Sequence, residues 1–245
     1  PSTGKTIEVS LYSLTELYNH GEMQRVIELG STLLEKAPND PGLLNLLGAA
    51  HLAINSPSEG VRLFERAISS APNYAEAYNN AGAAYKLLGA ITESESKYVK
   101  AISLNPSYLE AYNNLGALLR DKGDFQGAIL NFKKSLNIRA DSKTIRLELG
   151  KAYVNSGDLE RGLENYQIAL SIDPTDAEIL NMMGAKIKFK NIRVISGEKC
   201  SDIEVKSVKR LKSINCPTSL NSAAIDEFMI IFLVAAKANG ISYFK

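Results

Sequence analysis

The sequence predicts an all-α chain: a right-handed superhelical solenoid of antiparallel helix pairs, with a non-repeat C-terminal helical segment. The first ground is a glycine series, Gly48, Gly82, Gly116, Gly150 and Gly184, each 34 residues after the last. Prolines keep the same step at Pro38, Pro72, Pro106 and Pro174, with Ala140 replacing one. So do aromatics at Phe64, Tyr98, Phe132 and Tyr166, and small residues at Ala67, Ala101, Ser135 and Ala169. A further series, Gly21, Gly89, Gly123 and Gly157 with Asn55 in its gap, runs in the same phase. Self-similarity at one fixed period of this length is the mark of a repeat architecture.

Each series has a physical reason. Apolar residues recur at helical spacing on both sides of the inner marker, as in Tyr78, Ala81, Tyr85 and then Ile91, Tyr98, Ala101, Ile102. That predicts two amphipathic helices per unit. Gly82 and its equivalents lie inside the first helix, where glycine costs about 1 kcal/mol relative to alanine. A cost repeated at one position implies close helix approach that a Cβ would block. Gly89 and its equivalents end the first helix, where a left-handed residue is wanted. The proline stops the second helix. The aromatic is expected to fill the space between its pair and the next unit. The chain then divides into a tail at 1–6, an array at 7–190 and a C-terminal segment at 191–245. Repeats fall at 7–40, 41–74, 75–108, 109–142 and 143–176, with a further first helix from Ala177 to about Phe189. The first repeat departs from the others, with Ser10, Ser13 and Leu14 at pattern positions, as expected of a capping unit.

The run Ala111-Tyr112-Asn113-Asn114-Leu115-Gly116, through Gly123-Asp124-Phe125, Ala128, Phe132 and Leu136, resembles the tetratricopeptide repeat family. The resemblance implies that first helices line an inner, concave surface on which a protein or peptide segment is held. In sugar-transferase arrays of this family an asparagine at the place of Asn80 and Asn114 forms a ladder that bonds a peptide backbone. An amide suits that task because it donates and accepts together. Asn79 and Asn113 sit beside the two rungs, and Asn45 one repeat earlier. Leu46, Glu148 and Met182 occupy the rung position elsewhere, so the ladder is short. Lys86, Arg120, Lys151 and Lys188 are expected to form a loose basic line on the same surface, favouring an acidic segment or a carboxylate terminus. The family's two-carboxylate clamp for chaperone tails is not matched. The expected groove set is Asn45, Asn79, Asn80, Lys86, Asn113, Asn114, Arg120 and Lys151.

Beyond Gly184 the repeat fades, and Ile195-Ser196-Gly197 would interrupt a second helix. The stretch from Lys186 to Lys212 is rich in basic residues and is read as a solvated face or linker. Ser222 to Asn239 reads as a helix with an apolar middle, Phe228 to Val234, that must be buried. It is expected to fold back as a cap or to pair with a second copy in a homodimer.

Formal net charge is +1, which disfavours nucleic acid as the partner. The longest apolar run, Phe228 to Ala236, is far short of the roughly 20 residues of a membrane span. Residues 1–6 lack the apolar core of a signal peptide, and the two cysteines, Cys200 and Cys216, read as reduced thiols of a cytoplasmic protein. His20 and His51 stand in different repeats and give no metal spacing; His51 is read as a core residue. Gly4-Lys5-Thr6 lacks the rest of a phosphate loop. No catalytic residue and no cofactor is expected. The function expected is a protein-interaction scaffold. The alternatives are the adaptor region of a glycosyl- or sulfotransferase system whose catalytic part lies elsewhere, and a structural homo-oligomer.

Overall fold

A computed structural model describes residues 10–173, Asp176, Ile179, and the backbone of 185–195, 198–207 and 241–242. The expected tail at 1–6 and the expected helix at Ser222–Asn239 lie outside the described residues. The chain forms two compact units, Pro1–Ile138 and Arg139–Lys245.

The first unit holds four helix pairs among the described residues: α1 (Leu11–Asn19) with α2 (Met23–Lys36), α3 (Pro41–Ala53) with α4 (Pro57–Ser70), α5 (Ala75–Leu87) with α6 (Ile91–Leu104), and α7 (Leu109–Asp121) with α8 (Phe125–Ile138). Within each pair the chain reverses through a left-handed residue. Gly21, Gly89 and Gly123 have φ of +80°, +75° and +86°, and Asn55 substitutes at +61°. Asparagine tolerates this region better than other residues with a Cβ. Each reversal closes with a bond back into the first helix, as from the Ala90 N–H to the Tyr85 carbonyl at 3.0 Å.

The seam inside a pair explains the glycine and aromatic series together. A Cβ on Gly48 would lie 2.6 Å from the Phe64 ring, on Gly82 2.7 Å from Tyr98, and on Gly116 2.8 Å from Phe132. The ring of each second helix is thus seated on the glycine of its own first helix, so it closes its own pair. Phe64, Tyr98 and Phe132 are all buried. Contact is also close in the other sense: the buried Ser94 donates to the Gly82 carbonyl at 2.8 Å.

The first pair uses the same seam inverted. Leu14 stands at the glycine place and is buried, while Gly30 stands at the aromatic place. A Cβ on Gly30 would meet Leu47 at 2.7 Å and Leu14 at 3.5 Å. Ser10 and Ser13 form a reciprocal capping box at the start of α1, with Ser13 N donating to Ser10 Oγ at 3.2 Å and Ser10 N to Ser13 Oγ at 3.0 Å. Their departure from the pattern therefore has a local cause. Leu14, Leu43, Leu44, Leu47, Phe64 and Ala81 belong to one apolar cluster running through α1, α3, α4 and α5. First helices touch first helices, α1 to α3, α3 to α5 and α5 to α7, so they share one face. His51 is half-buried rather than a core residue.

The second unit begins with α9 (Lys143–Asn155) and α10 (Leu159–Ile172), reversing at Gly157 with φ +88° and seating Tyr166 on Gly150. Ser142 and Asp158 cap the two helices. Lys143 reaches Asp173 and Asp176, both at 2.7 Å. These two acceptors hold its ammonium well above the ordinary lysine range. Asp176 also accepts from the N–H of the buried, helical Ile179 at 3.2 Å.

The sequence-based expectation fails after this point. Residues 185–189, expected to end a helix, belong to β1 (Ala185–Ile195), which pairs antiparallel with β2 (Glu198–Ser207). A short β3 (Ile241–Ser242) adds to β2, giving the order β1-β2-β3. The described part of this segment is therefore a sheet and not helical. Lys186-Ile187-Lys188-Phe189-Lys190 alternates with period two, the pattern of a strand and not of a helix. Lys188 lies opposite Glu204 in the register and Lys190 opposite Asp202, so the basic run meets acids at two paired positions.

Candidate functional site

The first-helix face of the first unit gathers most of the residues expected to bind. Asn45 on α3, Asn79 and Asn80 on α5, and Asn113 and Asn114 on α7 occur at successive repeats. Their amides bond chiefly to one another. Asn80 Nδ2 donates to Asn45 Oδ1 at 3.0 Å, and Asn114 Nδ2 donates to Asn79 Oδ1 at 2.9 Å. Asn79 Nδ2 reaches Asn80 Oδ1 at 3.4 Å, joining the two links. Asn45 and Asn79 are buried, whereas Asn80 and Asn114 are half-buried. Asn113 Oδ1 is buried without a hydrogen-bond partner among the described residues.

Asn45 is saturated. Besides accepting from Asn80, it donates to Tyr74 Oη at 3.2 Å and to Glu76 Oε1 at 3.0 Å. Tyr74 in turn lies 3.5 Å from Glu76 Oε2. Burial pushes the Tyr74 hydroxyl up from its ordinary pKa, and the Glu76 charge adds to the shift. A tyrosine and a glutamate stand at the same places one repeat on, as Tyr108 and Glu110. The Tyr108 hydroxyl is pushed up to about 12, first by burial and then by the charges of Glu76 and Glu110. Sequence reasoning passed over Tyr74, Glu76, Tyr108 and Glu110. The available signal was that each pair keeps the 34-residue step.

A cleft of about 440 Å³ opens on this face among α1, α3 and α5. Leu11, Leu46 and Ala49 give it an apolar wall, and Tyr18, Asn45 and Asn80 a polar one.

The expected basic line carries acids within it. Lys86 bonds Asp121 at 2.8 Å, and Arg120 bonds the same carboxylate at 3.0 Å. Burial opposes ionisation of Asp121, but the two cations outweigh it and hold its carboxyl below the usual range. Lys151, in the second unit, is bridged to Glu148 at 2.9 Å. Lys188 lies on β1 and belongs to no first helix.

Three family models described as tetratricopeptide repeat match residues 75–108, 97–129 and 119–186. The chain is a tetratricopeptide repeat protein. Solved structures agree on the fold. MamA aligns at 22% identity with a TM-score of 0.60, covering 67% of this chain and 96% of that one. TTC0263, from Thermus thermophilus, aligns at 23% identity and 0.59, covering 70% and 94%. YrrB, described as a repeat protein of this kind with an unusual peptide-binding site, aligns at 18% and 0.59, covering 70% and 89%. Curated relatives of another kind match a shorter stretch. The 3-phosphoshikimate 1-carboxyvinyltransferase of Hydrogenovibrio crunogenus is 43% identical over 72 residues, 28% of this chain and 16% of that enzyme. The same enzyme of Ruthia magnifica is 42% identical over 73 residues, 29% of this chain and 17% of that enzyme. The chain spans about a sixth of the length of these curated relatives. No helix among the described residues is long and apolar enough to cross a membrane.

Proposed function

We propose that this protein is a protein-interaction scaffold, without a catalytic step of its own, that holds an extended segment of a partner on the first-helix face. The observation that carries the reading is the open cleft among α1, α3 and α5, where apolar Leu46 and Ala49 stand beside the amides of Asn45 and Asn80. An apolar wall with a few fixed polar groups is the common make-up of a binding cleft. Asn80 and Asn114 keep donor and acceptor capacity for a backbone, while Asn45 and Asn79 set their positions. Lys86 and Arg120 flank the path as balanced ion pairs rather than as an attractive line. The cytoplasmic setting expected from the sequence goes with this reading.

Selection of random twelve-residue peptides on the whole chain tests it. Selected peptides should lose about tenfold in affinity, or 1.4 kcal/mol, with Leu46→Arg. They should bind unchanged to Val99→Arg, at an exposed site on the second helix of its pair. Selected peptides indifferent to Leu46→Arg would refute the reading.

A second reading rests on the carboxyvinyltransferase match. Helix pairs take up the chain through Ile172, and the chain beyond Asp173 has room for a matching stretch of 72 residues. The array would then be the adaptor region of a carboxyvinyl-transfer system, of which this chain carries one part. Calorimetric titration of the whole chain with 3-phosphoshikimate checks it. Heat of binding supports the reading, and its absence up to millimolar ligand removes it.

A further inference from the structure

Among the described residues, those that line the cleft carry one charged group. Glu76 stands there among Tyr18, Asn45, Leu46, Tyr74 and Asn80, and this lining includes no lysine, arginine or histidine. Its carboxylate is fixed at both oxygens, by Asn45 Nδ2 at 3.0 Å and by the Tyr74 hydroxyl at 3.5 Å. An ionised carboxylate has about four acceptor positions, so two remain, and Glu76 is exposed. The Asn45 amide that aims it is itself buried and held by Asn80. Preorganisation of this kind lowers the ordering cost of binding. Tyr74 stays a neutral donor at physiological pH, since burial and the Glu76 charge both raise its pKa. Asp40 contributes a further negative charge at the same phenol.

The cations of this face are elsewhere. Lys86 lies ten residues along α5 from Glu76, about 15 Å at 1.5 Å per residue, and is bonded to Asp121. The end of the face near α1 is therefore electronegative, opposite to the polarity expected from a line of lysines and arginines.

The next repeat supplies a second carboxylate. Glu110 stands at the same place on α7, and the charges of Glu76 and Glu110 both act on Tyr108. Neighbouring helices pack about 8–10 Å apart. A peptide in the extended polyproline conformation rises about 3.1 Å per residue with about three residues per turn, so side chains three residues apart share one face and span one repeat.

We propose that this face recognises a basic extended segment, with two lysine or arginine side chains three residues apart that meet Glu76 in the cleft and Glu110 one repeat on. The proposal rests on the scaffold reading above and names the chemistry of its ligand. The apolar wall of Leu11, Leu46 and Ala49 would take the aliphatic stem of the first cation, as long basic side chains bury their stems and leave the head polar.

The probe is a labelled, acetylated and amidated alanine–serine peptide with two lysines three residues apart, titrated by anisotropy against the whole chain at 0.15 M salt. Two companions carry glutamates at the same places, or lysines at adjacent positions. The spaced lysine peptide should bind about tenfold or more tighter than either companion. Glu76→Gln, which keeps an acceptor for Asn45 but removes the charge, should weaken it about tenfold, 1.4 kcal/mol. Glu110→Gln should weaken it less, since Glu110 is not among the residues that line the cleft. Circular dichroism of each variant checks that the helices persist. Equal binding of lysine and glutamate peptides, or indifference to Glu76→Gln with the fold intact, overturns the proposal. If randomly selected peptides still lose affinity with Leu46→Arg, the scaffold reading survives that failure. If no peptide of any kind binds, both fail.

Discussion

The seam inside each helix pair and the face along the first helices follow the same 34-residue step but join residues in different ways. The seam is closed within a repeat: Gly82 and Tyr98 are 16 residues apart, dry and nearly without choice of side chain. The face is built between repeats, by Asn45 with Asn80 and Asn79 with Asn114, both 35 residues apart, and the half-buried Asn80 and Asn114 keep bonding capacity toward solvent. The difference separates two kinds of periodic residue. At the seam a repeated residue is there because packing density admits little else. On the face a repeated residue orients its neighbour, and the neighbour is what a ligand would meet.

That contrast can be broken experimentally, beginning at the seam. Phe132→Ala empties the seat over Gly116 and should cost about 3–5 kcal/mol, read as a fall in the thermal midpoint of the helical signal. A loss under about 1 kcal/mol would mean that the ring does not close the pair. Gly82→Ala pushes a methyl group into the Tyr98 ring and should cost about 1–3 kcal/mol by chemical denaturation, as overpacking does. On the face, Asn79→Ala strands the Asn114 donor and should cost about 1–3 kcal/mol. Because Asn114 is half-buried and can turn to water, the lower end is expected. Lys86→Ala should change stability least, within about 1 kcal/mol, because both partners of its bridge to Asp121 are substantially exposed. A larger loss there would promote the ion pair from a balanced surface contact to a structural one.

The helix pairs were readable because seam residues are confined to few types, so glycine, aromatic and small residues stay in phase across the chain. The first pair was read only as atypical. Leu14 and Gly30 keep the spacing of the seam but exchange large for small, and a pattern of residue types does not register that inversion. The hairpin was misread because Gly184 falls on the 34-residue step and carried the helix expectation past the point where period-two alternation had begun. On the face, the asparagines were visible as positions. Their mutual pairing was not, because partners lie one residue off the step. Glu76 was overlooked for a similar reason: an acid in the first turn of a helix is ordinary by itself, and only Asn45, from the preceding repeat, aims it across the cleft.

Hydrogen–deuterium exchange of the whole chain, with and without a selected peptide, tests the central claim that the first-helix face is the binding surface. Slower exchange in α3 and α5, with α4 and α6 unchanged, is the result this account expects. Protection confined to α4 and α6, or to the β1–β2 hairpin, would contradict it.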